Sequence, residues 1–242
     1  MIRTAMRDFH KEPALIKAEG TRPLQRKLLI VCEGKNTEVE YFDKFHVPGV
    51  TIVPVGTGLS TCKLVRKVES IKELQLQRKR LKKFDEIWVV FDKDDNKDFE
   101  DAIRLALSLK YKVAYTNQAF EYWFVLHFID HQGNAMPRTD YANLINEHLK
   151  SHGAEYDSKS KHVSDDMFDV LMAFLQEAYD RASRLLSTKK KLGQEYKESV
   201  TTVHNLIHSI KGTTTTAEQR KAKEKIESTA KAQKHANVAT NV

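Results

Sequence analysis

Residues 28–34 read Leu-Leu-Ile-Val-Cys-Glu-Gly, and this stretch decides the fold. Its four leading apolar residues predict a strand that is buried on both faces, as in a parallel sheet. The glutamate, Glu33, stands at the carboxyl end of that strand, where open α/β sheets form their ligand crevice. Gly34 lets the backbone turn sharply and lets a neighbour approach closely. Thr37 and Glu40 have the spacing of a capping box, which predicts that a helix begins there.

The first half of the chain alternates between predicted strands and helices. The strands are predicted at 28–32, 50–55, 86–91 and 112–115. This alternation indicates a parallel sheet covered by helices on both faces, so the predicted fold class is α/β. Pro54 places the second strand near an edge of the sheet. The apolar segment 120–128 is too long for a comfortable strand and predicts a buried helix.

The second half of the chain predicts only helices, near 139–150, 165–187 and 196–211. Four regions follow from this organisation. They are a mobile N-terminal arm at 1–26, an α/β domain at 27–130, a helical extension packed on it at 131–212, and a disordered or frayed basic tail at 213–242. The tail has too few apolar residues to bury a core of its own.

The composition limits the partners and the setting. The chain has 242 residues and a formal net charge of +7. That charge favours polyanionic partners, although a merely soluble basic protein has the same balance. Cys32 and Cys62 lie far apart and suggest neither a disulfide framework nor a zinc site. Since no apolar run has the ~18 residues of a membrane span and the start of the chain does not resemble a signal peptide, we expect a cytoplasmic protein with no membrane partner.

Carboxylates follow two of the predicted strands. Glu33 follows the first strand, and Asp92 and Asp94 follow the third. In an extended chain Asp92 and Asp94 point to the same side, whereas Asp95 points away. Converging carboxylates are costly unless a cation lies among them, and Mg²⁺ takes one or two carboxylates together with phosphate oxygens. The pattern predicts a metal-dependent phosphoryl-transfer site; the alternative is that these are ordinary loop residues.

Several of these stretches carry a resemblance to a known family. A strand ending in Glu-Gly, followed about sixty residues later by a strand ending in Asp-x-Asp, is similar to the Toprim domain of topoisomerases, bacterial primases and several nucleases. Residues 117–128 read Asn-Gln-Ala-Phe-Glu-Tyr-Trp-Phe-Val-Leu-His-Phe and resemble the RloB family more narrowly, with Gln118 where proline is usual. Residues 199–204, Ser-Val-Thr-Thr-Val-His, resemble its carboxyl-terminal block. The resemblance covers roughly residues 26–210.

The resemblance implies a Toprim-like sheet in residues 27–130 and a Mg²⁺- or Mn²⁺-dependent nuclease of prokaryotic antiviral defence, often with an ABC/AAA-type ATPase encoded nearby. Asp92 and Asp94 would be metal ligands, and Glu33 would be a metal ligand or an acid–base residue. We add Glu121 as a further ligand because it lies on a buried helix just past the fourth strand. The alternative for Glu121 is a partly buried glutamate paired with a lysine. The oligomeric state stays open, a homo-oligomer included.

Basic residues are predicted to bind the nucleic acid. Lys35 follows Gly34 and could reach a phosphate. A basic run consists of Arg78, Lys79, Arg80, Lys82 and Lys83. Such side chains can follow a nucleic-acid backbone; the alternative is a solvated helix face.

Three interpretations stay open from the sequence. Glu38 either favours the dipole of its helix or joins the metal site. His127 is interpreted as a packing histidine, with a nucleic-acid or acid–base role as the alternative. The whole chain could instead be a non-catalytic basic module that binds nucleic acid or an ATPase.

Overall fold

The computed structural model describes residues 25–197 and 199–212. Positions 1–24 of the predicted arm lie outside these residues. The whole of the tail predicted at 213–242 also lies outside them. Four parallel strands form one sheet in the order β2-β1-β3-β4. The strands are β1 (Arg26–Cys32), β2 (Val50–Gly56), β3 (Glu86–Asp92) and β4 (Lys112–Thr116). The predicted α/β class and the edge position of β2 are confirmed, and Arg26, assigned above to the arm, begins β1.

Helices cover both faces of the sheet. They are α1 (Thr37–Asp43), α2 (Thr61–Arg78), α3 (Phe99–Ser108), α4 (Glu121–Phe128), α5 (Arg138–Leu149), α6 (Asp165–Ala173), α7 (Leu175–Lys191) and α8 (Val203–Lys211). Helices α2 and α3 pack mainly on one face, and α1 with α4–α8 pack mainly on the other. None of the helices in the described ranges has the length and apolar character that a membrane crossing requires.

The core follows from the alternation of β1. Leu28, Ile30 and Cys32 point into the cluster beneath α1 and α4, and Leu29 and Val31 point into the cluster beneath α2 and α3. All five side chains are fully buried, as expected of a central strand in a parallel sheet. The cluster on the α4 face continues through residues of α5–α8. The helical extension therefore shares a core with the sheet, and the division predicted at residue 130 stays a prediction.

Two helix predictions in the second half are wrong in their bounds. The helix predicted at 165–187 is broken at Phe174 into α6 and α7, although its apolar pattern continues across the break. The helix predicted at 196–211 begins only at Val203. The reason is that the residues before it pair with the edge of β4: Thr202 N–H donates to the Tyr115 carbonyl (2.8 Å), and Thr201 forms an antiparallel bridge with Thr116.

The helix predicted to begin near Thr37 is confirmed, but its capping box is not. Asn36 is the N-cap of α1, and no side chain caps it. Thr37 Oγ1 instead donates to the carbonyl of Lys161 (3.1 Å), and Glu40 accepts a hydrogen bond from Val163 N–H (2.8 Å). Both side chains are therefore used to hold a distant segment of the chain against α1.

Glu86 joins three elements at the amino edge of the sheet. It begins β3, and its carboxylate accepts hydrogen bonds from Arg26 of β1, Ser209 of α8, Trp88 and Lys112 of β4. Burial alone would raise the pKa of this carboxyl group. The hydrogen bonds outweigh burial and lower the pKa from 4.5 to about 2.

Replacing Glu86 by glutamine should reduce the free energy of unfolding at pH 7. A group whose pKa is lowered in the folded protein adds stability above its unfolded pKa and loses it as the pH falls. The shift corresponds to about 3 kcal/mol at most, and we expect about 2 kcal/mol because Arg26 and Lys112 are partly exposed. Urea denaturation should show the difference at pH 7 and show it shrinking as the pH falls from about 4.5 toward 2.

A matched control is Glu100→Gln, because Glu100 pairs only loosely with Arg104 (3.9 Å) and both are exposed. Its loss should stay below about 0.5 kcal/mol. An equal loss in the two variants, or a Glu86→Gln difference that does not change with pH, would contradict the assignment.

Candidate active site

The order of the strands creates a crevice at one edge of the sheet. The chain passes from β1 to β2 on one side and then to β3 on the other side, so the carboxyl ends of β1 and β3 flank the topological switch point. Ligands of open α/β sheets bind at this position. Glu33 directly follows β1, and Asp92 is the last residue of β3. The Glu33 amide donates to the Val90 carbonyl (2.8 Å), which holds the two strand ends together.

Asp92 is the centre of a group of four carboxylates at this edge. Its Oδ2 accepts a hydrogen bond from the amide of Phe120 (3.1 Å), at the start of α4. Burial raises the pKa of Asp92 well above its ordinary value. The negative charges of Glu38, Glu121 and Glu33, in that order, raise it further. We call these four carboxylates the acid cluster.

Glu33 is a member of the acid cluster that the sequence already predicts as a site residue, directly after β1. Burial raises its pKa from 4.5 to about 7. The nearby amides of Asp92 and Thr61 lower the pKa, and the charges of Glu38 and Asp94 raise it. Its Oε2 atom is buried without a hydrogen-bond partner among the described residues. A buried carboxylate oxygen without a partner is costly, and this one is available to a ligand of the site.

Glu38, whose role is open from the sequence, belongs to the acid cluster. It lies in the first turn of α1 and is 6% exposed. Its carboxylate folds back and accepts a hydrogen bond from the amide of Gly34 (3.1 Å). A Cβ atom at Gly34 would lie 2.0 Å from Glu38 Oε2, so a side chain there would displace the Glu38 carboxylate from its present position. The four-residue spacing of the two was the available signal, because it allows a helical side chain to reach back over the preceding turn.

Glu121 is the first residue of α4, and the structure brings it to the acid cluster. Tyr156 Oη donates a hydrogen bond to Glu121 Oε1 (2.8 Å). No lysine pairs with Glu121 in the described ranges. The alternative interpretation, a glutamate paired with a lysine, therefore has no support. Tyr156 comes from the segment after α5, and nothing in the sequence pattern connects it to the site.

Asp94 lies at the margin of the acid cluster. Strand β3 ends at Asp92, and Asp94 has a left-handed backbone with a φ of 40°. The prediction that Asp92 and Asp94 point to one side in an extended chain is wrong for that reason. Asp94 is half-exposed, and its Oδ2 forms an ion pair with Arg138 Nη1 (3.1 Å). Its charge still raises the pKa of Glu33, so it remains close to that residue.

The predicted basic run lies far from the acid cluster. Arg78 ends α2, and residues 79–83 form the connection to β3, so their interpretation as a helix face is wrong. Because α2 runs back from the carboxyl edge to the amino edge of the sheet, the run lies at the start of β3. The seven residues of β3 separate it from Asp92 by about 20 Å. Its role in binding nucleic acid stays a prediction.

Lys35 does lie at the carboxyl edge. It is exposed in the loop between β1 and α1, and its side chain lies against Gly58, whose added Cβ would be 2.6 Å from Lys35 Cε. A cavity of about 230 Å³ opens at the other side of the acid cluster. It is lined by Lys93, Asp94, Asp95, Asn117, Gln118 and Arg138. Lys35 and Arg138 thus lie at the carboxyl edge of the sheet together with the carboxylates.

Two buried polar residues of the segment 117–128 differ in role. Asn117 is 1% exposed, and neither polar atom of its side chain has a hydrogen-bond partner among the described residues. It follows Thr116, the β4 partner of Asp92, which makes it a candidate substrate contact. His127 is fully buried, with Nδ1 bonded to the Trp123 carbonyl (2.9 Å). Burial lowers the pKa of His127 to about 3, which favours a neutral imidazole packed in the core; its Nε2, like the Asn117 side chain, has no hydrogen-bond partner among the described residues.

A family model described as RloB-like protein matches residues 28–210. The chain belongs to the RloB-like family. Neither a curated protein nor a solved structure matches it significantly. In this member of the RloB-like family, the segment 117–128 supplies Asn117, the amide of Phe120 and Glu121 to the site. The segment 199–204 covers the edge of β4 through Thr201 and Thr202.

The donor chemistry of the site suits a hard divalent cation. The acid cluster offers only oxygen ligands, which Mg²⁺ and Mn²⁺ prefer, and the Glu33 Oε2 atom lacks another partner. Within residues 25–197 and 199–212, no three His, Cys, Asp or Glu side chains already surround a common point as metal ligands. Mg²⁺ needs only one or two protein carboxylates when water and substrate oxygens complete its shell. The residues therefore fit a cation held jointly by the protein and a phosphate.

Proposed function

We propose that this chain is a Mg²⁺- or Mn²⁺-dependent nuclease of the Toprim type that hydrolyses phosphodiester bonds of DNA or RNA. The observation that carries the proposal is the acid cluster at the topological switch point, with raised pKa values on Glu33, Glu38 and Asp92. Four carboxylates that repel one another are costly to a folded protein. A cation among them removes that cost, and a phosphodiester supplies the remaining oxygens.

Each residue of the site has a role in this proposal. A bound divalent cation would polarise the phosphodiester and lower the pKa of a water molecule. Asp92, Asp94 and Glu121 would hold the cation, Asp92 fixed by the Phe120 amide and Glu121 by the Tyr156 hydroxyl. Glu33 either completes this set or accepts a proton beside it. Arg138 pairs with Asp94 and would share the charge of that carboxylate with the cation.

The biological setting of the proposal rests on the family resemblance. We propose a role in prokaryotic antiviral defence, with nucleic acid as substrate and an ATPase of the ABC/AAA type as a partner. Arrangement as a homo-oligomer and a cytoplasmic location belong to the same proposal.

The test is incubation of the full chain with labelled DNA and RNA pools in Mg²⁺, Mn²⁺ or EDTA, alone and with the ATPase. We expect cleavage only with a divalent cation. We also expect the thermal midpoint to rise by about 5 °C at millimolar Mn²⁺, since a ligand at 100 times its Kd adds about 2.7 kcal/mol. Ca²⁺ is a useful comparison because it also takes oxygen ligands, in larger and less regular shells.

A different outcome would favour the hypothesis of a non-catalytic binding module over that of a nuclease. If no cation raises the thermal midpoint and neither pool is cleaved, while nucleic acid or the ATPase is still bound, the chain is a binding module. If DNA alone or RNA alone is cleaved, the substrate class is decided by the same experiment.

A further inference from the structure

A short turn from the helical extension lies beside the acid cluster. Residues 157–162 read Asp-Ser-Lys-Ser-Lys-His, and we call them the basic turn. Asp157 and His162 form an antiparallel bridge that closes it. Inside the turn, the Asp157 carboxylate accepts hydrogen bonds from the amides of Lys159 (2.9 Å) and Ser160 (3.2 Å). The turn therefore has a defined backbone of its own.

Four contacts fix the basic turn to the start of α1. Thr37 Oγ1 donates to the Lys161 carbonyl (3.1 Å), and Asn36 Nδ2 donates to the Ser160 carbonyl (3.4 Å). Glu40 pairs with His162 Nδ1 (2.7 Å) and accepts from the amide of Val163. These are the side chains that a capping box would have used on α1 itself. The chain uses them to hold the turn directly against the loop that carries Glu33 and Lys35.

The residue before the turn connects it to the acid cluster. Tyr156 is almost fully buried, and its hydroxyl donates to Glu121 and lies 3.3 Å from Thr37 Oγ1. The turn therefore cannot shift without disturbing a member of the acid cluster. Lys161 has a left-handed backbone with a φ of 56°. That conformation costs a non-glycine residue about 1 kcal/mol, and strained residues of this kind concentrate at functional sites.

The lysines of the turn are not held in ion pairs with other described residues, although hydrogen bonds within the turn and also the charge of Lys159 lower the pKa of the neighbouring Asp157 carboxylate. Lys159 and Lys161 are exposed, and neither forms an ion pair with a described residue. Burial raises the pKa of Glu38, and the positive charge of Lys161 is one of the influences that lower it. Lys161 therefore lies close enough to the acid cluster to act on it. Apart from His162, whose ring is paired with Glu40, the turn presents no aromatic or apolar side chain that could stack on a base or enter a protein pocket.

We infer that the basic turn, together with Lys35, binds the sugar–phosphate backbone of the nucleic acid whose phosphodiester enters the acid cluster. This inference rests on the proposed function and names the surface that positions its substrate. The acid cluster repels a polyanion, and lysines fixed at its rim offset that repulsion where the strand must approach. Contacts made only to phosphates carry no sequence information, so binding through the turn is independent of sequence.

The test is the affinity of labelled 20-nucleotide DNA and RNA for the full chain, measured by fluorescence anisotropy in EDTA. Lys159→Gln/Lys161→Gln should weaken binding about tenfold at low salt and lower the slope of log K against log salt by about 1.5. The loss should be equal for oligonucleotides of unrelated sequence. The matched control is Lys67→Gln/Lys110→Gln, which removes two exposed charges, one on α2 and one just before β4, and should change the affinity less than threefold.

One further variant and one further measurement separate a loss of charge from a loss of structure. Lys161→Arg, with Lys159 left unchanged, keeps the positive charge and should retain most of the wild-type affinity. The thermal midpoint of the double glutamine variant should be unchanged, because both side chains are exposed. The inference is overturned if the control weakens binding as much as the turn variant, if the salt slope does not change, or if the chain binds neither nucleic acid at low salt.

The two proposals fail separately, because binding is measured without a divalent cation. Loss of binding in the turn variant without any metal-dependent cleavage would overturn the nuclease and leave the turn as a nucleic-acid surface. If the wild type cleaves and the turn variant binds with unchanged affinity, the nuclease proposal stands and the proposed binding role of the basic turn is rejected.

Discussion

Replacing Asp92 by asparagine is expected to abolish metal-dependent cleavage. Asp92 lies at the centre of the acid cluster, and asparagine removes its charge while keeping an oxygen that can accept the hydrogen bond from Phe120 N–H. A cation that stabilises the transition state contributes several kcal/mol. Losing about 4 kcal/mol of that stabilisation corresponds to a rate about 10³-fold lower. Glu33→Gln should have an effect of similar size, whether Glu33 holds the cation or accepts a proton.

The same Asp92 substitution should not destabilise the protein in EDTA. Burial and three neighbouring carboxylates oppose the charge of Asp92, so an asparagine there removes repulsion from the folded state. We expect the thermal midpoint in EDTA to equal or exceed that of the wild type, and the rise caused by Mn²⁺ to disappear. Thermal unfolding with and without Mn²⁺ measures both effects on the same samples as the cleavage assay.

Asp95→Asn is the matched control for Asp92. Asp95 is exposed three residues further along the chain, and it is not among the residues that shift the pKa of Asp92 or Glu33. Its replacement should change the cleavage rate less than threefold. A variant at Asp92 that keeps more than a tenth of the wild-type rate, or a control that loses as much as Asp92→Asn, would remove the acid cluster from the reaction.

The sheet and its acidic edge could be predicted from the sequence because their signals are local. Each strand is a short apolar run, and the rule that parallel strands end at one edge places Glu33 near Asp92 without further information. The basic run shows that a dense charge pattern does not by itself give its position in the fold. Its charge density suggests a partner for the acid cluster, yet helix α2 must return to the amino edge before β3 begins, which places Arg78 and its neighbours at the far edge. That conclusion was available from the topology alone.

The remaining parts of the site depend on contacts that leave no pattern in sequence. Tyr156 reaches Glu121 across 35 positions, and Lys161 reaches Thr37 across 124. Neither pair has a spacing that a helix or strand would impose. The pairing of residues 199–202 with β4 likewise follows from an unpaired strand edge, not from the residues themselves. The helical extension therefore contributes most of what sequence analysis could not place.

Trp123→Ala is expected to be the most destabilising single substitution considered for the core. Trp123 is fully buried on α4, where its indole N–H donates to the hydroxyl of Tyr41 (2.9 Å) and its ring packs edge-on against His127 (4.8 Å between centroids). Removing a buried tryptophan side chain costs about 3–5 kcal/mol, and the Tyr41 hydroxyl loses its donor. The total is a large fraction of the 5–15 kcal/mol that stabilises a typical domain. Urea denaturation should show a midpoint lower by about 1.5 M.

A double-mutant cycle separates the hydrogen bond from the packing. Trp123→Phe and Tyr41→Phe each remove the bond, so the double variant should lose about 1 kcal/mol less than the sum of the two. Leu107→Ala is the control, because Leu107 is 58% exposed and should change stability by less than 0.5 kcal/mol.

The unfolding curves also test the division predicted at residue 130. The buried cluster that contains Trp123 includes residues of β1, α1 and β3 on one side of that position and of α5–α8 on the other. Because these residues share one core, the wild type and Trp123→Ala should each unfold in a single cooperative transition. Two transitions, of which Trp123→Ala shifts only one, would show that the helical extension folds as a separate unit. In that case α4 would stabilise only the part of the chain before residue 130.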